Sequence, residues 1–210
     1  MKFSELDIDK NIQKAINDLG FKQLTPVQKQ AIPYLLENKN DLVALAQTGT
    51  GKTAAFGLPI LNKVEVKNKY PQVIILCPTR ELCLQISKDM SSFAKYTKGV
   101  KITPVYGGSN IVTQIKSLKS GSQIIVGTPG RVIDLINRKS LKLKTIEFVI
   151  LDEADEMLNM GFKDDLDTIL SEIPKQKQTL LFSATMPKEV SRISKNYMIN
   201  AKTIEITDRN

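Results

Sequence analysis

Seven short apolar runs recur along the chain, separated by stretches with helical spacing, and this alternation restricts the possible folds more than any other feature. The runs are Leu42 to Ala46, Val73 to Cys77, Ile102 to Tyr106, Ile124 to Val126, Phe148 to Leu151, Leu180 to Phe182 and Thr203 to Ile206. Several are continuous rather than alternating, the pattern of strands buried on both faces. Strands interleaved with helices in this way predict an α/β fold, a mostly parallel central sheet with helices on both faces. The chain has 210 residues, enough for one sizeable core, and a single domain over 1–210 is expected.

Upstream of the first run, Ile8, Ile12, Ala15, Ile16 and Leu19 recur at helical spacing and Gly20 supplies a stop. The next helix opens at Thr25-Pro26-Val27-Gln28. Thr25 suits the N-cap, Pro26 the first turn, and Gln28 the third position, where its amide closes a capping box. Lys63 to Lys69 reads as an exposed loop.

Directly after the first run stands Ala46-Gln47-Thr48-Gly49-Thr50-Gly51-Lys52-Thr53, followed by the helical Ala54-Ala55-Phe56. Strand, tight loop and helix in that order make a phosphate-binding loop. Small residues let the backbone curl so that several N–H groups converge on a triphosphate, and the following helix adds its positive end. Lys52 is placed to reach the β- and γ-phosphates, and the Thr53 hydroxyl to ligate Mg²⁺. Ala46 stands where the general pattern has its first Gly. The competing reading is a strand–turn–helix junction with an ordinary surface Lys.

Other motifs also follow the runs directly. Pro78-Thr79-Arg80-Glu81-Leu82 follows the second, Gly107-Gly108 the third, Thr128-Pro129-Gly130-Arg131 the fourth, Asp152-Glu153-Ala154-Asp155 the fifth and Ser183-Ala184-Thr185 the sixth. In a doubly wound sheet all of them fall on the carboxyl edge, where such folds bind ligands. Each alone reads equally as a helix cap or turn. Their coincidence on one edge is not explained by capping.

There is no His, so a general base must be a carboxylate or Lys. Cys77 and Cys83 match no zinc or disulfide pattern and are expected as buried thiols. A formal charge of +8 suits a polyanionic partner, or simply solubility. No apolar run approaches the roughly 20 residues of a membrane helix and no basic-then-apolar leader is present, so a cytoplasmic protein with no membrane partner is expected.

With these residues in view, the chain resembles the first RecA-like domain of DEAD-box RNA helicases over essentially its whole length. Asp152-Glu153-Ala154-Asp155 matches the motif that names the family, and Ala46 is the residue the family usually carries in its phosphate loop. Gly20-Phe21, Thr25-Pro26 and Gln28, with Phe3 upstream, look like the adenine-reading Q motif of about 3–28, although Leu24 stands where a Pro often precedes Thr-Pro. The resemblance implies ATP and Mg²⁺ as cofactors, Asp152 as a magnesium-side carboxylate acting partly through water, and Glu153 as the residue that orients and deprotonates the attacking water. It implies that Gln28 reads adenine and that Phe3 or Phe21 stacks on the base, the alternative for each Phe being a core aromatic. It implies that Asp155 meets Ser183 and Thr185, coupling nucleotide state to domain closure, and that Pro78, Thr79, Arg80, Gly107, Gly108, Thr128, Pro129, Gly130 and Arg131 contact an RNA backbone. The family's second RecA-like domain, with its arginine fingers, has no counterpart in these residues. A non-catalytic nucleotide-binding module and an ATPase acting on something other than RNA are the competing functions. Intact Lys52, Asp152 and Glu153 speak against the first, and the Q motif and phosphate-contact loops against the second.

Overall fold

Residues 1–206 are described by a computed structural model. A 3-10 turn, Phe3–Glu5, leads into α1 (Lys10–Asp18), α2 (Pro26–Glu37), β1 (Leu42–Leu45), α3 (Lys52–Lys63), β2 (Val73–Leu76) and α4 (Arg80–Phe93). Then come β3 (Ile102–Val105), α5 (Ile111–Lys119), β4 (Ile124–Gly127), α6 (Pro129–Asn137) and β5 (Phe148–Leu151). The remaining elements are α7 (Ala154–Asn159), α8 (Lys163–Glu172), β6 (Gln178–Ser183), α9 (Lys188–Tyr197) and β7 (Lys202–Glu205). Each expected strand is present, within about two residues of its apolar run.

The seven strands form one sheet in the order β3-β4-β2-β5-β6-β1-β7, and every pairing is parallel. Register sorts the side chains onto two faces. Leu42 pairs with Leu180 and Ala44 with Phe182, and these join Val73, Ile75 and Ile150 in a core under α1 to α4. The alternate residues Val43, Ile74, Ile125, Val149 and Leu181 face a second core under α6 to α9, with α5 adding half-buried Ile111 and Ile115. Two buried faces explain why the apolar runs are continuous. Phe56 of α3 meets Phe182 edge-on at 5.3 Å, and burial of each such ring stabilises the fold by roughly 1.5–3 kcal/mol. Cys77 and Cys83 are buried free thiols, as expected.

At the amino edge, polar side chains brace the connections. The Asp41 carboxylate accepts the N–H of Thr179 and of Ile199, each at 2.7 Å, clamping the entries to β1, β6 and β7. Burial raises the carboxyl of Asp41 above its usual range, and those two N–H groups only partly oppose it. The Gln72 amide holds Glu65 and Asn68, and the Gln123 amide holds Lys101, Val66 and Gly99. The expected exposed loop at Lys63 to Lys69 needs correction at its start. Lys63 is the last residue of α3 and is half-buried, while Val64 is only 8% exposed because it packs into the first core.

Candidate nucleotide and nucleic-acid site

The strand order divides the carboxyl edge into two halves. β5, β6 and β1 are neighbours and deliver the phosphate loop, the acidic motif and Ser183-Ala184-Thr185 to one half. β3, β4 and β2 deliver Gly107-Gly108, Thr128 to Arg131 and Pro78 to Arg80 to the other.

The first half holds a cleft of about 470 Å³ whose lining includes Phe21, Gln28, Thr48, Gly49, Gly51, Lys52, Thr53, Asp152 and Glu153. At its phosphate-loop end, Gly49 and Gly51 take φ of +81° and +87°, the left-handed region that Gly enters at low cost. A Cβ on Gly51 would stand 2.4 Å from Gln28 Nε2, so this position needs Gly twice over. The loop then runs into α3, whose first N–H groups have no intrahelical acceptors and point toward the loop. Lys52 is 6% exposed, and its Nζ lies 3.5 Å from Asp152 Oδ1 with no hydrogen-bond partner among the described residues. Burial pushes the Asp152 carboxyl above its usual range, the Lys52 charge opposes that rise and the neighbouring Glu153 adds to it.

Glu153 caps α7 in a left-handed conformation, φ 53° and ψ 52°, unusual for a residue with a long side chain. Strain of this kind costs on the order of 1–3 kcal/mol and gathers at functional sites. It turns the carboxylate across the cleft, where Oε1 accepts the Thr48 hydroxyl at 3.3 Å. Elsewhere in the loop, Thr50 donates its hydroxyl to the Gln47 carbonyl at 2.7 Å, and buried Ala46 donates its N–H to the Ser183 carbonyl at 3.0 Å.

Asp155 is the hub of this half. Its N–H donates to Ser183 Oγ at 3.2 Å, and its Oδ2 accepts both the N–H and the hydroxyl of Thr185, at 3.0 and 2.8 Å. Burial pushes the Asp155 carboxyl up, but the Thr185 and Ser183 hydroxyls and two backbone N–H groups outweigh it and leave it below its ordinary value. A carboxyl held down in the folded state contributes stability above its unfolded pKa, and that contribution fades as pH falls through the lowered value.

Gln28 makes the capping box that its position in the sequence predicts, and a second bond besides. Its Oε1 accepts the Thr25 N–H at 2.9 Å, completing the capping box of α2, while its Nε2 donates to the Gly51 carbonyl at 3.0 Å. One amide therefore links the helix cap to the phosphate loop. Phe21 lines the cleft, whereas Phe3 is 2% exposed and does not; it packs behind Phe21 at 5.5 Å between ring centroids. Phe93 of α4 meets Phe21 edge-on at 6.2 Å, and Leu82, Gln85, Asp89 and Ser92 of the same helix complete this wall. Gln85, Asp89, Ser92 and Phe93 carry no signal in the sequence.

In the second half, Thr79 caps α4 by accepting the Leu82 N–H at 3.2 Å, which leaves Arg80 exposed at the helix start. The Arg80 guanidinium lies 5.1 Å from the Tyr106 ring centre, and Gly108 is close enough that a Cβ there would be 3.9 Å from Arg80 Nη1. Arg131 is not free. It donates to Gln114 Oε1 at 2.9 Å and to the Ser109 carbonyl at 3.1 Å, bracing the loop that carries Gly107 and Gly108. Pro78, Thr128 and Pro129 are buried, and Gly107, Gly108 and Gly130 are exposed.

Comparison with known proteins agrees with this layout. The family profile described as DEAD/DEAH box helicase matches residues 25–193. The chain is 53% identical over 205 residues to the ATP-dependent RNA helicase CshA of Listeria monocytogenes, covering 98% of this chain and 39% of that protein. It is 46% identical over 208 residues to the ATP-dependent RNA helicase DeaD of Haemophilus influenzae, covering 99% and 34%. Among solved structures, a DEAD box protein from Methanococcus jannaschii superposes with a TM-score of 0.94 at 46% identity, over 99% of this chain and 56% of that one. The chain thus spans about two fifths of the length of such curated relatives. No helix among the described residues is long and apolar enough to cross a membrane. The chain belongs to the DEAD/DEAH box helicase family.

Proposed function

We propose that these residues form the ATP-binding and RNA-binding first domain of an ATP-dependent RNA helicase, which separates RNA strands or remodels RNA–protein complexes together with a second RecA-like domain. One observation carries the nucleotide half of this reading: the ammonium of Lys52 is buried with no hydrogen-bond partner among the described residues, in the lining of a cleft beside the start of α3. Asp152 offsets the ammonium's charge at 3.5 Å but leaves its N–H donors without acceptors, and a triphosphate is the anion that loop, helix end and lysine fit together.

The adenine end falls to Gln28 and Phe21. The Gln28 amide carries two N–H groups and two acceptor sites on its oxygen, and its internal bonds use one of each, so a donor and an acceptor remain for an adenine edge. Phe21, backed by Phe3 and Phe93, offers a ring face for the base. Among the described residues no three or more His, Cys, Asp or Glu gather to hold a metal ion, so a cation here would take most of its ligands from phosphate and water. Asp152, through water, and the Thr53 hydroxyl would hold Mg²⁺, which would supply charge neutralisation between the β- and γ-phosphates. Glu153 would accept the proton of the attacking water, while Lys52 and the N–H groups of α3 balance charge on the phosphates.

Asp155 relays the state of this site, because it joins the acidic motif to Ser183-Ala184-Thr185 on the neighbouring strand. Arg80 and the amides of Gly107 and Gly108 suit RNA phosphates, which they grip without reading bases. Arg131 acts one step back, shaping the glycine loop through Ser109.

The missing half of the catalytic site would come from the second domain, whose arginine fingers are typically worth on the order of 10³–10⁵ in rate. ATP hydrolysis measured with and without RNA, on this chain alone and with a second RecA-like domain supplied, tests the proposal. Little RNA-stimulated turnover alone and a strong rise with the second domain are expected. Strong RNA-stimulated turnover by this chain alone, at a specific rate independent of protein concentration, would contradict it.

A further inference from the structure

The amino edge of the sheet, at the opposite end of the strands from Lys52 and Arg80, concentrates the charge of the whole chain. Seven connections lead from a helix into a strand: segments 38–41, 64–72, 94–101, 120–123, 138–147, 173–177 and 198–201. Together they hold twelve Lys or Arg and three Asp or Glu, a net of +9 against +8 for all 210 residues. The rest of the chain is therefore close to neutral. A charge that served solubility alone would have no reason to collect at one end of the strands.

Two of the twelve cations are paired among the described residues, Lys95 with Asp18 and Arg138 with Asp134, and the other ten make no ion pair. Lys39, Lys63 and Lys177, against the one carboxylate of Glu147, line a cleft of about 670 Å³ that also includes half-buried Phe148. Lys139, Lys142 and Lys144, against the one carboxylate of Glu172, line a second cleft of about 350 Å³, and both clefts are bordered by the connection into β5. Burial lowers the ammonium of Lys63 from its usual value and the charge of Lys39 adds to the effect; burial also lowers Lys177, with Asp41 opposing. An anion in the cleft would reverse both tendencies. The Gln72, Gln123 and Gln178 amides hold these connections in place, so the array is preorganised.

We infer that the amino edge is a second RNA-binding surface, which holds single-stranded RNA through its phosphates. The choice of RNA rests on three features. The cations run from the connection into β3 to the connection into β1, five strand spacings of about 4.8 Å or roughly 24 Å, an extent that suits a chain of phosphates better than one small anion. Eleven of the twelve cations are Lys, point charges that contact phosphate without bidentate geometry. Tyr70, 43% exposed, and half-buried Phe148, whose ring centre lies 5.9 Å from Lys63 Nζ, set aromatic rings among the lysines, as surfaces that hold unpaired bases do.

The test is fluorescence anisotropy of a labelled 20-nucleotide oligouridylate titrated with this chain over a range of salt concentrations. Replacing Lys39, Lys142 and Lys177 together by Ala removes three phosphate contacts. The salt dependence of log affinity should become shallower by about two, since each contact on a single strand contributes about 0.7. ADP binding should be unchanged, and the matching triple Arg variant should keep the wild-type slope. A triple Ala variant with wild-type affinity and slope overturns the inference. So does loss of polyglutamate binding in that variant while RNA binding persists. Arg80→Ala separates the two edges. If it alone weakens RNA binding, the carboxyl-edge reading stands and the amino-edge inference falls; if only the Lys variant does, the reverse holds.

Discussion

Changing Lys52 to Ala is expected to weaken adenine-nucleotide binding at least about thirtyfold and to destabilise the protein by about 3 kcal/mol or more. The two effects have different origins. Nucleotide affinity falls because a buried cation that would meet the β- and γ-phosphates is gone. Stability falls because the Asp152 side chain, 3% exposed, loses the one opposite charge beside it among the described residues. An uncompensated buried carboxylate is costly, and Asp152 would escape part of that cost by binding a proton. Calorimetric titration with ADP and denaturant unfolding measure the two losses separately. In the double variant Lys52→Ala/Asp152→Asn the stability should return while the affinity does not. Equal recovery of both would mean that Lys52 serves only to neutralise Asp152.

Changing Glu153 to Gln in a protein that includes the second domain should lower the hydrolysis rate by about 10²–10⁴ while nucleotide binding persists. The amide keeps the size of the side chain and can still accept the Thr48 hydroxyl, but it cannot take the proton of an attacking water. The sequence has no His, and of the other two carboxylates in the motif Asp152 faces the Lys52 ammonium while Asp155 accepts the N–H and hydroxyl of Thr185. That leaves Glu153, turned across the cleft by its left-handed backbone, as the group free to act as base. Hydrolysis by the Gln variant at the wild-type rate, measured as phosphate release at saturating ATP, would remove it from that role.

The strands were legible because burial on both faces leaves a continuous apolar run, and the phosphate loop because its chemistry restricts residue types at fixed spacing. What the chain order concealed were contacts set by docking. β6 begins at Gln178, a polar residue buried to 5% exposure, which is tolerated because its amide donates to the carbonyls of Asn38 and Asn40, nearly 140 positions away. No periodicity signals that. Phe93 and Leu82 join the cleft wall because α4 lies across from α1 and α3, and its sequence shows an amphipathic helix without saying which apolar side chains border a cavity. Arg131 was readable as a phosphate contact beside the fourth strand. Its two bonds to Ser109 and Gln114 depend on how the third strand's loop folds back, which spacing does not report. Phe3 and Phe21 were equivalent in sequence, and only packing ranks Phe21 in front and Phe3 behind.

The central claim is that the cleft between Gln28 and Lys52 is an adenine-nucleotide site, and the most direct measurement is a calorimetric comparison of ADP and GDP, with Mg²⁺, on wild type and Gln28→Ala. The Gln28 amide offers a donor and an acceptor in the arrangement that an adenine edge complements and a guanine edge opposes. Such a paired amide discriminates by about 1–3 kcal/mol, which corresponds to roughly 5- to 150-fold. Wild type should therefore bind ADP at least about fivefold more tightly than GDP, and Gln28→Ala should erase most of the difference. Equal affinity of the wild type for ADP and GDP would show that this cleft does not read adenine.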